Sequence, residues 1–157
     1  MKNIAKRVFV YGTLKQGFPN FTTNRGRRVP GHFVTVQAYP LYLVGPRCTP
    51  WMLDLPGQGH PIAGQLFEVD DATLQAMDLL ERVAEPDGYR RMRLQVIAQR
   101  GGPDPQVTLQ AWAYLQQPHL FDPAQARSET LAEYTLQHAA LYRPRGAAPG
   151  GTAETTS

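Results

Sequence analysis

Apolar and polar positions divide the chain into short β-type runs and one clear helical stretch. Val8-Phe9-Val10-Tyr11 is a continuous apolar run of β-formers that breaks at Gly12-Thr13-Leu14, and Lys15-Gln16-Gly17-Phe18-Pro19-Asn20 is turn and loop chemistry. The strand therefore ends near Gly12, and N–H groups from Gly12 to Leu14 lose their ladder partners. Unpaired N–H groups clustered at a strand end make a small anion pocket. Residues 15–32 read as a long loop anchored by Phe18 and Phe21, and a connection of that length is functional or disordered. His32 to Val36 alternates weakly, and Tyr39 to Val44 is a β-prone run stopped by Gly45-Pro46, with Pro40 marking an edge or a bulge. Trp51 to Leu55 and Ile62 to Val69 flank the turn Pro56-Gly57-Gln58-Gly59, which predicts a hairpin or meander corner between them.

The pattern then changes period. Asp70 and Asp71 can cap a helix starting near Ala72, with apolar positions Leu74, Met77, Leu79, Leu80 and Val83. At about 100° per residue, Asp71, Gln75, Asp78 and Arg82 gather on a polar arc. Glu81 falls outside that arc, flanked by Leu74 and Met77, so its carboxylate sits at the edge of the buried face. Two readings stay open there. Desolvation can raise the pKa of Glu81 into the range useful for proton transfer near neutrality. Alternatively it is a snorkelling helix-end glutamate, or pairs with Arg82 at the surface for less than about 1 kcal/mol.

Beyond the turn Glu85-Pro86-Asp87-Gly88, Tyr89 to Ala98 alternates as a strand, residues 100–105 close a hairpin, and Val107 to Leu115 is the partner strand. Asp122-Pro123 is a helix start, and Leu131, Tyr134, His138 and Leu141 mark a second helix after a Ser128 cap, ended by Pro144. Residues 146–157 have nothing to bury and read as a disordered tail, leaving one domain over 1–145. Strands and helices do not alternate as βαβ units, so the fold class is α+β with antiparallel pairing.

Composition narrows the function. In 157 residues, 42% are apolar and 18% charged, with 14 Gly and 14 Pro, which fits a turn-rich globular domain. Arg25, Arg27, Arg28 and Arg90, Arg91, Arg93 are local clusters, but 13 acidic residues are interspersed and the net charge is only +3, so no continuous basic stripe for nucleic acid exists. Cys48 is the only cysteine, which excludes an intrachain disulfide, and His32, His60, His119 and His138 lack metal-ligand spacing. No run approaches membrane-spanning length, and Met1 to Arg7 lacks the apolar centre of a secretion signal. A cytoplasmic protein with neither a membrane nor a nucleic-acid partner is expected.

The wording of the first stretch is more specific than its pattern. Tyr11-Gly12-Thr13-Leu14-Lys15, with Gly17 and Asn20, resembles the amino-terminal signature of the γ-glutamylcyclotransferase-like family, in particular its γ-glutamylamine cyclotransferase (AIG2-like) branch. Pro50-Trp51-Met52-Leu53-Asp54-Leu55-Pro56-Gly57, then Gly64-Gln65-Leu66-Phe67-Glu68-Val69-Asp70, then Asp78-x-x-Glu81 with Tyr89-x-Arg91, resemble further segments of that branch in the same order, so the likeness spans roughly residues 7 to 115. The resemblance implies a small mixed β-barrel flanked by helices. It gives Glu81 the catalytic role and Tyr11, Gly12, Thr13 and Leu14 the substrate-binding one. It implies a small-molecule γ-glutamyl amine or γ-glutamyl amino acid as substrate, cyclised to 5-oxoproline with release of the free amine and with no cofactor or metal. The alternative is a non-catalytic small-anion-binding module of the same fold, which would have no use for a desolvated Glu81. Phe21 replaces a frequent histidine, Gln65 replaces a frequent glutamate, and the interval from Glu81 to Tyr89 is longer than usual. These departures bear on specificity more than on the chemistry.

Overall fold

Strand β1 (Lys6–Val10) lies between two strands made much later in the chain: β5 (His60–Val69), antiparallel to it, and β7 (Leu109–Leu115), parallel to it. The computed structural model describes residues 6–100 and 107–144. With β2 (Arg27–Tyr39) and β6 (Arg90–Arg100) these strands close a barrel in the order β1-β5-β2-β6-β7. Five strands in a ring cannot alternate in direction all the way round, so one neighbouring pair has to be parallel; here it is β1–β7. The antiparallel expectation is corrected to a mixed barrel for that reason, and the small mixed barrel implied by the resemblance is borne out. The tail expected at 146–157 and the turn at 101–105 lie outside the described residues.

Both faces of β1 are covered, which is why its sequence is apolar without alternation. Phe9 points into the barrel with Phe33, Ile62, Leu66, Leu94 and Val96. Val8 and Val10 face outward against Phe67, Leu74 and Met77, beneath helix α1 (Asp71–Leu80). The helix begins where expected: the Asp70 side chain accepts from the Thr73 N–H at 2.8 Å. Strand β2 starts at Arg27 rather than His32 and bends through register shifts between Val29 and Phe33 and between Val34 and Ala38, which let one strand serve both β5 and β6. Pro30 and Gly31, the latter at φ +105°, occupy the first irregularity.

Two pairings differ from expectation. Trp51 does not pair with β5; β4 (Thr49–Met52) instead forms a separate hairpin with β3 (Leu41–Val44), Tyr42 opposite Trp51. Gly45-Pro46, expected to end a strand, is the turn of this hairpin, with Gly45 at φ +76° and the Cys48 N–H bonded to the Gly45 carbonyl at 3.1 Å. The helix expected after Ser128 shrinks to α2 (Leu136–Ala139), capped by Thr135, and Asp122-Pro123 starts only a single 3-10 turn at Pro123–Gln125. The intervening backbone is spent elsewhere: Arg127 and Leu131 donate to the carbonyls of Leu43 and Leu41, and the Ser128 hydroxyl accepts from the Leu43 N–H. Hydrogen bonds to the edge of β3 outcompete a local helix.

Candidate active site

Helix α1 ends at Glu81, whose N–H still bonds to the Met77 carbonyl at 2.9 Å, and Arg82 then turns left-handed at φ +56°. The following loop folds back so closely that a Cβ on Gly88 would lie 1.7 Å from the Arg82 carbonyl oxygen. Tyr89 returns to donate its N–H to the Glu81 carbonyl at 3.1 Å. This loop, the segment Tyr11 to Leu14, and the β3–β4 hairpin enclose a cavity of about 540 Å³, lined among others by Glu81, Tyr89 and Tyr114. Glu81 and Tyr11 to Leu14 are therefore brought together.

Burial raises the Glu81 carboxyl from 4.5 to about 7. Its charge is felt by the hydroxyls of Tyr11, Tyr89 and Tyr114, all of which are raised first by burial. None of these phenols spends its proton on Glu81. Tyr11 donates to the Tyr114 carbonyl, Tyr89 to the Pro50 carbonyl and Tyr114 to Asp78 Oδ1, each at 2.7 Å. Arg82 pairs with Asp87 at 2.8 Å instead of Glu81, so the surface-pair reading is corrected. Asp78, placed by periodicity on the polar arc, is drawn inward by Tyr114 and by Arg91 Nε at 3.1 Å. Leu79, expected on the buried face, is 81% exposed and forms part of the cavity rim.

The Tyr11 to Leu14 loop is fastened through its carbonyls. Gly12, Thr13 and Leu14 carbonyls accept from the Lys15 N–H, the Asn20 N–H and Asn24 Nδ2 at 3.1, 2.8 and 3.1 Å, and Asn20 Nδ2 also reaches Thr13 Oγ1 at 2.8 Å. No backbone carbonyl among the described residues accepts from the N–H groups of Gly12, Thr13 or Leu14. A small cradle of donors thus remains beside a carboxylate poised near neutrality. Lys15 is buried, its amine lowered to about 8 by burial and donating to the Tyr134 carbonyl, which tethers the loop to the last part of the fold. Neither Phe21 nor Gln65 lines the cavity: Phe21 packs near Phe67, and Gln65 Oε1 accepts from the Gln16 N–H at 2.8 Å, bracing the loop from beneath. Sequence reasoning missed Arg47 and Tyr142 in the cavity wall. The sole hint was the Gly45-Pro46 turn before Arg47, since a hairpin there would carry Arg47 toward Pro50 and Trp51.

Comparison with known proteins agrees with this geometry. The family model described as Gamma-glutamyl cyclotransferase, AIG2-like, matches residues 8–136. A gamma-glutamylaminecyclotransferase of Rattus norvegicus is 38% identical over 119 residues, covering 68% of this chain and 75% of its own. One of Homo sapiens is 32% identical over 151 residues, covering 88% and 96%. The crystal structure of an AIG2-like protein of Mus musculus superposes with a TM-score of 0.74 at 31% identity, covering 90% of this chain and 97% of that one. A match across this length, from the first strand to the start of the second helix and including both Tyr11 to Leu14 and Glu81, means that the chain belongs to the γ-glutamyl cyclotransferase, AIG2-like family.

Proposed function

We propose that the protein is a 5-oxoproline-forming γ-glutamylcyclotransferase acting on a γ-glutamyl amine or γ-glutamyl amino acid, with Glu81 as the proton-transfer residue and Tyr11 to Leu14 as the substrate cradle. The observation that carries this reading is the Glu81 carboxyl, raised to about 7 by burial and lining the same cavity as the donor-bearing loop. In such a substrate the nucleophile is internal. The α-amine nitrogen attacks the γ-carbonyl carbon, the five-membered ring closes, and the bond to the leaving nitrogen breaks. Effective molarities of about 10⁵ M or more supply much of the rate. Glu81 accepts the proton released by the attacking amine, and a carboxylate near 7 is well matched to an α-amine of ordinary pKa about 8. The protonated Glu81 then returns that proton to the departing amine, so the enzyme ends as it began. The N–H groups of Gly12, Thr13 and Leu14 receive the substrate's negative charge, either its carboxylate or the developing oxyanion.

Residues 1–145 are proposed as the catalytic domain. The cytoplasm is proposed as its compartment, since the reaction has no need of an oxidising one and Cys48 is the only cysteine. Among the described residues no helix is long and apolar enough to cross a membrane. The test of function is incubation with a panel of γ-glutamyl amines and γ-glutamyl amino acids, scored for 5-oxoproline. Release of 5-oxoproline with one equivalent of amine is expected; binding without release would favour the anion-binding module.

A further inference from the structure

One basic side chain in the cavity wall has no assigned work. Arg82, another arginine there, is tied to Asp87. Arg47 pairs with no carboxylate among the described residues; its Nη1 makes only a long bond of 3.4 Å to the Arg143 carbonyl. Its backbone is nevertheless pinned, because the Arg143 N–H donates to the Arg47 carbonyl at 3.0 Å and the neighbouring Cys48 N–H closes the hairpin turn. Its charge acts inside the cavity, where it favours the ionised form of the Tyr89 hydroxyl against burial. Arg47 also lines an adjoining cavity of about 250 Å³, between the β3–β4 turn and Leu120, Asp122 and Gln125, so it stands where the two spaces meet.

Resting on the reaction proposed above, we infer that Arg47 is a specificity-determining residue that selects γ-glutamyl amides whose leaving amine carries a carboxylate at the end of a short aliphatic chain. The glutamyl head has its own donors in Gly12 to Leu14, which leaves the unpaired guanidinium to the other half of the substrate. A guanidinium on a fixed backbone presents a planar fork matched to a carboxylate, and a charge-assisted bond in a half-dry cavity discriminates strongly against a neutral or cationic end. Trp51 and Leu120 line both cavities together with Arg47 and offer apolar surface suited to methylene groups.

The test uses three γ-glutamyl amides that share a four-carbon amine, made from 4-aminobutyrate, butylamine and 1,4-diaminobutane. For the wild type, kcat/KM is expected to be about tenfold higher for the carboxylate compound than for the butylamide, and lowest for the diamine. Arg47→Gln should bring the first two together, Arg47→Lys should keep part of the preference, and Arg47→Glu should place the diamine first. Equal wild-type values for the carboxylate compound and the butylamide would overturn the inference. So would an Arg47→Gln variant that lowers all three by one factor, which would assign Arg47 to the glutamyl head. Calorimetric binding of the same compounds to Glu81→Gln reads the preference without turnover. Binding to Glu81→Gln in the expected order with no lactam from any compound on the wild type would overturn the reaction alone, and lactam from all three on the wild type without the order would overturn the role of Arg47 alone.

Discussion

The Tyr89 N–H donates to the Glu81 carbonyl at 3.1 Å, so the end of α1 and the start of β6 share one hydrogen bond and the loop between them is closed on itself. That bond holds the Glu81 side chain over the cavity while the Tyr89 hydroxyl is held by the Pro50 carbonyl. The position of the proposed base is thus set by backbone, not by a partner for its carboxylate.

Glu81→Gln is expected to lower kcat by at least about 10²-fold while leaving the circular dichroism spectrum and substrate binding nearly unchanged. The amide keeps the shape and loses the ability to take a proton. Turnover equal to wild type in a single-turnover assay would refute the mechanism.

The acid limb of kcat is expected near pH 7, because Glu81 has to be ionised to accept a proton and burial holds it at about 7. Stability should run the other way. The folded protein holds the Glu81 proton between about 4.5 and 7, where the unfolded chain has released it, so this contribution is full below about 4.5 and lost once pH passes about 7. Melting temperatures should accordingly show Glu81→Gln gaining on the wild type as pH rises from 5 to 8. A difference independent of pH would remove burial as the cause of the shift.

Gly88→Ala is expected to destabilise the fold by about 2 kcal/mol, since the new methyl carbon would meet the Arg82 carbonyl oxygen at 1.7 Å and backbone has to move. Activity should fall further than the loss of folded protein explains, because the same movement displaces Glu81. Urea denaturation beside kcat, measured where the variant is fully folded, separates the two effects.

An N-acetylated γ-glutamyl amide is expected to yield no 5-oxoproline, because the blocked nitrogen is the only nucleophile in the proposed reaction. Chromatography of the products also tests the alternative in which Glu81 activates water. Free glutamate as the primary product from the unblocked substrate would change the reaction class and leave the fold untouched.

What the sequence made legible was local. Val8 to Leu14, the Asp70 cap and the position of Glu81 follow from periodicity and capping within a few residues, and each appears where those rules put it. The β3–β4 hairpin was not legible, because Gly45-Pro46 ends a strand and turns a hairpin with equal ease and the choice is made by Trp51 meeting Tyr42. The expected helix after Ser128 failed similarly, its N–H groups being claimed by carbonyls of β3. Arg47 has no local signature beyond the Gly45-Pro46 turn before it; its meaning arises only when the hairpin brings it to the cavity shared with Glu81.

The parity of the barrel has a consequence for the order in which the molecule is made. Because β1 is flanked by β5 and β7, with Phe9 opposite Leu66 and Val8 opposite Trp112, the second edge of the first strand cannot be satisfied until most of the chain has been synthesised. Non-local pairings of this kind are the slow ones. The proposed substrate loop hanging from β1 is therefore among the first segments to leave the ribosome, and its Lys15 tether to the Tyr134 carbonyl is among the last to form. A nascent chain arrested before Trp112 should bind no γ-glutamyl compound, although it already carries both Tyr11 and Glu81.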